Sequence, residues 1–219
     1  MINRVDESVW LRRGQSGKRR TVAIVGGMHG DEPDGATVID ELIDPDHPVW
    51  SICRDEVWLV RGNPRALEAR TRATTEGADL NRLFAVEPPE GDSYETARAH
   101  ALRKWLKPVD ALLDLHQTVS PSPPLAVIRD TPDHLTEVSR MGLQMALVGS
   151  EAVYGGSMLT NLIDRSGGVG LLVETGVRGG KRTLEQARPR PSASSPRPRA
   201  TARCMWSRSS RLSPPPGPA

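Results

Sequence analysis

The sequence predicts an α/β fold, a largely parallel or mixed sheet with helices on both faces, and three observations carry that prediction. Short aliphatic runs at residues 20–26, 57–60, 109–115 and 169–173 alternate with segments of helical periodicity, the order that produces layered α/β domains. Those runs are nearly continuous rather than alternating, as suits strands buried on both faces. His29, His116 and Glu174 stand at or just beyond the ends of three of them, and open α/β sheets collect ligands at the carboxyl ends of their strands.

Each element has its own signal. Residues 20–26 are a β-branched run closing on Gly26-Gly27, a buried strand that feeds a tight loop. Val38, Ile39, Leu42 and Ile43 follow at helical spacing after Pro33, which suits a first helical turn, and Asp44-Pro45 ends that helix. Residues 57–60 read as a second strand and 63–70 as a short helix with Asn63 at its N-cap. A polar loop through Gly77 leads to Asp79-Leu80-Asn81-Arg82, and Pro88-Pro89 punctuates the chain before a helix over about 93–106. Residues 109–115 form a strand leading into His116, 125–128 another strand, 132–148 an amphipathic helix, and 169–173 a buried strand that ends at Glu174-Thr175-Gly176.

Charge divides the chain. The 219 residues carry 29 Lys and Arg against 27 Asp and Glu, a formal charge of +2. Residues 188–219 hold seven of the Arg and no Lys or acid, so 22 basic residues face 27 acidic ones before them and the body is mildly acidic. A nucleic-acid-binding domain is not what that body predicts. In the last 32 residues eight are Pro, seven Ser and seven Arg, with no apolar periodicity, so this segment cannot bury enough surface to offset its ordering entropy. The expected organisation is one catalytic domain over residues 1–187 and a disordered tail over 188–219. The tail's bias and abrupt onset fit out-of-frame translation of a GC-rich gene better than an arm for nucleic acid or acidic membrane.

The two cysteines, Cys53 and Cys204, supply neither a disulfide framework nor a cysteine-based zinc knuckle. Any metal would have to be held by His and carboxylates. No apolar run approaches the ~18–20 residues that span a bilayer, and the first residues lack the layout of a signal peptide, so the expected location is cytoplasmic.

Gly26-Gly27-Met28-His29-Gly30-Asp31-Glu32 carries the strongest chemical signal, a His and a carboxylate three residues apart directly after a buried strand. Both side chains can turn toward one point, and glycines on either side of His29 permit unusual backbone angles and close approach by a substrate. Neutral imidazole and carboxylate are good zinc ligands, and catalytic zinc sites commonly use three protein ligands with a fourth position open. His116 is the natural third ligand because it too closes a strand. Asp114, two residues earlier, is either a partner that orients an imidazole or a structural aspartate. His47, His100 and His134 lie in loop or helix contexts without such partners and read as structural.

Glu174 follows an apolar run, where a carboxylate is costly to bury without a role or a partner. It is the candidate general base, against the simpler reading of a salt bridge at a strand end. Arg72, Asn81 and Arg82 form the other cluster: the arginine fork binds carboxylates in a bidentate way and Asn adds a donor and an acceptor. Beside a metal site they imply an anionic substrate, although alone residues 79–82 would pass for a loop cap.

Taken together, residues 27–32, Asn63-Pro64-Arg65-Ala66 with Thr71-Arg72, then 79–82, Asp114-Leu115-His116 and Val173-Glu174-Thr175-Gly176 resemble the succinylglutamate desuccinylase and aspartoacylase family. The likeness runs in order over about residues 20–178. It implies a zinc carboxypeptidase-like mixed sheet and one Zn²⁺ per chain on His29, Glu32 and His116. It further implies a substrate carboxylate on Arg72, Asn81 and Arg82, Glu174 as base and proton shuttle, and Arg165 as a further carboxylate contact. Two departures stand out. The smaller C-terminal β-domain of the family, with its substrate-contacting tyrosine, is replaced here by the Pro/Arg/Ser tail, and the spacing from Arg72 to Asn81 is slightly longer than the family pattern.

The activity expected from these residues is zinc-dependent hydrolysis of the amide bond of an N-acyl amino acid or similar small carboxylate. The sequence leaves open a carboxypeptidase-like peptidase with the same metal and base, and a truncated zinc-binding remnant without activity. The expected partner is a small-molecule carboxylate, with no membrane and no nucleic acid.

Overall fold

The structure is a computed structural model that describes residues 1–14, 20–75 and 77–179. The Pro/Arg/Ser tail at 188–219 and Cys204 lie outside the described residues. Eight strands make one sheet: β1 (Ile2–Asp6), β2 (Val9–Arg12), β3 (Thr21–Gly26), β4 (Glu56–Arg61), β5 (Ala111–Thr118), β6 (Leu125–Ile128), β7 (Ala146–Val148) and β8 (Val169–Val177). Their order is β1-β2-β4-β3-β5-β8-β6-β7. The central strands β4, β3, β5 and β8 run parallel, while β1, β2 and the β6–β8 pair are antiparallel, so the sheet is mixed as the sequence predicts.

Alternate residues of the central strands face two different cores, the consequence of the two-residue period of a strand. Val22, Ile24, Leu113, Leu115, Leu171 and Val173 pack with Val38, Ile39 and Leu42 of α1 (Pro33–Leu42) and Val138 of α4 (Pro132–Arg140). Ala23, Val25, Val60 and Leu112 pack on the opposite face with Leu102 and Leu106 of α3 (Tyr94–Leu106). Leu159, Leu162 and Ile163 of α6 (Leu159–Arg165) complete that second layer. Each such side chain, fully buried, contributes about 1.5–3 kcal/mol against the ordering entropy of the chain. Two short helices, α2 (Pro64–Ala69) and α5 (Ser150–Tyr154), complete the set.

Most strands and helices stand where periodicity predicts them, and the differences have local causes. The predicted helix over 132–148 stops at Arg140, because Gly142 takes a φ of +70° and turns the chain into the edge strand β7. The N-terminal hairpin β1–β2 and the helix α6 escape a periodicity reading; β1 is a half-exposed edge strand with no apolar run, and α6 spans only seven residues. β5 extends to Thr118, so His116 lies inside the strand rather than after it. Among the described residues, no helix is long and apolar enough to cross a membrane.

Candidate active site

Three elements deliver the predicted ligands. His29 sits in the β3–α1 loop, where Gly27 takes a φ of +69° and lets the chain leave the strand sharply. A Cβ on Gly30 would lie 1.9 Å from the Ala66 backbone, so this glycine admits the helix α2 rather than a substrate. Glu32 is the N-cap residue of α1, with Pro33 behind it, yet its carboxylate makes no cap bond. It turns back to the imidazoles instead. His116 comes from β5, and Gln117 beside it donates its backbone N–H to Glu32 Oε2 at 3.1 Å.

One ligating atom from each of His29, Glu32 and His116 lies within 4.8 Å of the others, and all three residues are buried. Glu32 Oε1 is 3.0 Å from His29 Nδ1, and Glu32 Oε2 is 2.9 Å from His116 Nδ1. Both rings therefore aim Nδ1 at one point. Their outward nitrogens meet carboxylates: His29 Nε2 lies 3.0 Å from Asp79 Oδ1, and His116 Nε2 lies 3.0 Å from Asp114 Oδ2. A carboxylate there favours the proton on Nε2 and frees the Nδ1 lone pair for a metal. The Asp114 contact is off the line of a directed hydrogen bond, and both its buried oxygens lack one, so it acts through charge.

The charges around these rings act strongly on one another. Burial works against ionisation of Glu32, but His116 and His29 outweigh it and hold the carboxyl well below the usual carboxylate range. Burial likewise opposes ionised Asp79, and His29 with Arg72 more than reverses that. Burial disfavours the His116 cation, while Asp114 and Glu32 raise its pKa well above the ordinary value. A metal competes with that proton for the ring nitrogen. Two imidazole nitrogens and a carboxylate oxygen, backed by further carboxylates, make a donor set that fits zinc.

Glu174 stands opposite His116 in the β5–β8 ladder. Among the described residues its Oε2 is buried without a hydrogen-bond partner and no strand-end salt bridge of the kind the sequence left open is made; burial pushes its carboxyl up, only partly offset by His116.

The predicted carboxylate contacts divide. Arg72 donates through Nε and Nη2 to Asp79 Oδ2 at 3.1 and 2.7 Å, and its Nη1 lies 3.7 Å from Glu32 Oε1. Asn81 is buried, with Nδ2 at 3.4 Å from His116 Nε2 and Oδ1 accepting from the Leu159 N–H at 2.9 Å. Arg82 follows on the same 3-10 turn (Leu80–Arg82), its guanidinium 4.1 Å over the Tyr154 ring. Arg165 is turned elsewhere: it donates to the carbonyls of Gly156 and Phe84 and staples two loops together.

Two further residues join the cluster without a prior role. Asp79 accepts from the Asn81 N–H at 2.9 Å besides engaging His29 and Arg72; its place at the head of the 79–82 motif was the available signal. Arg178 pairs with Asp31 and reaches Glu32 Oε1 at 3.3 Å; nothing in its sequence context marks it. The three remaining histidines serve structure. His47 caps a 3-10 turn, His100 lies 3.0 Å from the Pro89 carbonyl, and His134 lies 3.0 Å from Asp164.

A mixed α/β sheet that gathers two histidines and a glutamate at the carboxyl ends of its central strands, with a second glutamate beside them, defines a zinc carboxypeptidase-like fold. The chain belongs to the succinylglutamate desuccinylase/aspartoacylase family, whose catalytic domain it matches over residues 18–187. It is 36% identical over 115 residues to N-acyl-aromatic-L-amino acid amidohydrolase (carboxylate-forming) B of Danio rerio, covering 45% of this chain and 35% of that protein. Among solved structures it resembles a succinylglutamate desuccinylase/aspartoacylase from Rhodobacter sphaeroides, with a TM-score of 0.68 and 25% identity, over 83% of this chain and 55% of that one. It shares its fold with a metallo-carboxypeptidase from Burkholderia cenocepacia, with a TM-score of 0.65 at 15% identity, over 82% of this chain and 57% of that one. The chain thus spans little more than a third of the curated relative and somewhat over half of the solved ones.

Proposed function

We propose that this chain is a zinc-dependent hydrolase that cleaves the amide bond of an N-acyl amino acid or a similar small carboxylate. The observation that carries the reading is the convergence of His29 Nδ1, Glu32 and His116 Nδ1 beside the unpartnered Glu174 Oε2. Membership of a deacylase family supports it. His29, Glu32 and His116 would hold one zinc ion, which when bound supplies a Lewis acid for the scissile carbonyl and acidifies water.

The chain's own residues do the rest. Glu174, its carboxyl raised by burial, takes the proton of the attacking water and then delivers it to the nitrogen of the departing amine, so that one group acts first as base and then as acid. Asp79 holds the His29 imidazole in the orientation that directs Nδ1 inward, and the charge of Asp114 favours the proton on Nε2 of His116. Arg72 and Arg82, with Asn81, bind the substrate carboxylate and fix its distance from the scissile bond.

The test is hydrolysis of a panel of N-acyl amino acids and C-terminal peptides by the zinc-loaded chain, with Glu174→Gln alongside. The expected result is turnover of at least one N-acyl amino acid, a loss of at least ~10²-fold in the Gln protein, and zinc retained in both. Parent-like turnover in Glu174→Gln would make Glu174 structural, cleavage of peptides alone would make the protein a peptidase, and no turnover at all would leave a zinc-binding remnant.

A further inference from the structure

Glu95 on α3 is a carboxylate with none of its residue surface exposed, and it lies outside the metal cluster. Among the described residues its hydrogen-bond partners are all uncharged. Oε1 accepts from Asn63 Nδ2 at 3.2 Å and from the Thr74 N–H at 2.8 Å, and Oε2 accepts from the Thr74 hydroxyl at 2.9 Å. A buried carboxylate with no charged hydrogen-bond partner among the described residues depends on these donors to be accommodated. Its donors say what the arrangement holds. Asn63 is the N-cap of α2, and Thr74 lies in the loop that runs from α2 to the 3-10 turn at Leu80–Arg82.

That loop carries Arg72. The Arg72 side chain is 45% exposed, and among the described residues its tip is fixed by Asp79, with Glu32 farther away. Its backbone is held on one side by the Thr71 N–H on the Ala66 carbonyl at 3.1 Å, and on the other, two residues away, by the Thr74 bonds to Glu95. The fit is tight: a Cβ on Gly77 would lie 1.8 Å from Glu95 Oε2, so the loop wraps directly over the carboxylate. The same helix also grips the start of α2 from the other side, because Arg98 donates to the Gly62 carbonyl at 2.8 Å.

We propose that Glu95 is a positioning residue for substrate binding: by pinning Thr74 it sets where the Arg72 guanidinium stands beside Asp79, and hence how tightly the substrate carboxylate is held. The inference rests on the reading of Arg72 as a carboxylate-binding group. It predicts that loosening the loop weakens anion binding without touching the metal.

The experiment uses the full zinc-loaded chain in a Glu174→Gln background, so that N-acetylaspartate binds without being hydrolysed, and titrates it and its diamide calorimetrically. Arg72→Ala and Glu95→Ala should each weaken N-acetylaspartate by about 10-fold, the scale of a misplaced binding group, with zinc content and diamide binding unchanged. Glu95→Gln should restore most of the affinity. Its Oε1 can still accept from Asn63 and the Thr74 N–H, while its amide donates to the Thr74 hydroxyl. Amide hydrogen exchange over residues 71–78 should quicken in Glu95→Ala and return toward the parent rate in Glu95→Gln.

Parent affinity in Glu95→Ala together with weakened Arg72→Ala would overturn the inference and leave the role of Arg72 standing. Parent affinity in Arg72→Ala, or no binding by the parent protein, would overturn both. Should Glu95→Ala fail to fold, Thr74→Val decides: it deletes one bond at the loop, and parent affinity with parent exchange rates there would refute the tether.

Discussion

Asp79 joins His29, a proposed metal ligand, to Arg72, a proposed substrate contact, and replacing it tests that joint directly. Its Oδ1 faces His29 Nε2 and the Asn81 N–H, and its Oδ2 accepts twice from Arg72. In Asp79→Asn the amide has one acceptor and one donor end, so either orientation spoils half of these contacts. Turning the donor toward His29 would set it against two buried donors, at a cost of about 1.5–3 kcal/mol for each hydrogen bond to a charged group. Turning it toward Arg72 forfeits a half-exposed ion pair, worth only about 0–1 kcal/mol after screening. The amide therefore keeps its oxygen on His29 and releases Arg72.

Zinc affinity should then fall by about 10-fold in Asp79→Asn, because a neutral oxygen supports the imidazole less well than a carboxylate, and toward ~100-fold in Asp79→Ala, the range usual for groups behind a metal ligand. KM for a carboxylate-bearing substrate should rise in both, since both free Arg72. The assay is competition with a chromophoric chelator for zinc, paired with steady-state kinetics. An Asp79→Ala protein with parent zinc affinity would refute the claim that Asp79 orients His29. One with lowered zinc affinity but an unchanged KM would refute its coupling to Arg72.

His116→Ala, like His29→Ala or Glu32→Ala, should abolish stoichiometric zinc, measured by metal analysis of the purified protein; a full complement of zinc in His116→Ala would remove that residue from the ligand set. Arg82→Lys keeps the charge but loses the planar fork, so kcat/KM on an N-acyl amino acid should drop about 10-fold for the ~1.5 kcal/mol of one charged hydrogen bond, while the same compound with its carboxylate amidated is unaffected. Equal losses on both compounds would assign Arg82 to the fold. Burial opposes the ionised form of Glu95, but its bonds from Thr74 and Asn63 more than offset this and set its folded pKa below the ordinary 4.5. A depressed carboxyl contributes stability above its unfolded pKa and loses it as pH falls through the folded value. The gap in Tm between the parent and Glu95→Gln should therefore narrow as the pH falls below the ordinary 4.5, and a constant gap in thermal melts would contradict that.

The parts of this site that were legible in the sequence are those fixed by strand ends. β3, β5 and β8 read as strands because they are nearly continuous aliphatic runs, and a polar residue at the end of such a run has few places to go. His29, His116 and Glu174 were found that way, and Glu32 by its spacing from His29. What stayed hidden depends on long-range contact. Glu95 sits on a helix whose own pattern is ordinary, and only the path of the 70–78 loop gives it Thr74 to hold. Arg178 reaches Asp31 and Glu32 across 146 residues or more of sequence. Arg165 looked like an anion contact from its place in the chain, and its donors went to two backbone carbonyls because the loops at 84 and 156 meet there.

The register of the central sheet ties these pieces into one argument. His116 and Glu174 are partners across the β5–β8 ladder, and Val25 and Asp114 are partners across β3–β5. A slip of one residue in either pairing would turn an entire set of side chains to the other face, carrying Glu174 away from the imidazoles. That slip is opposed by both cores at once, because Leu113 and Leu115 of β5 with Leu171 and Val173 of β8 pack on one face of the sheet while Leu112 of β5 and the α6 residues Leu159 and Ile163 pack on the other. The site therefore takes its precision from aliphatic packing on either side of the sheet, and the loops add what strands cannot supply: His29 from the β3–α1 loop, Glu32 from a helix cap, Asp79 and Arg72 from the segment that Glu95 holds down. If that division of labour is correct, variants at Glu95 and Thr74 should change how tightly a carboxylate binds while leaving zinc in place, and variants in the strand core should change whether the metal binds at all.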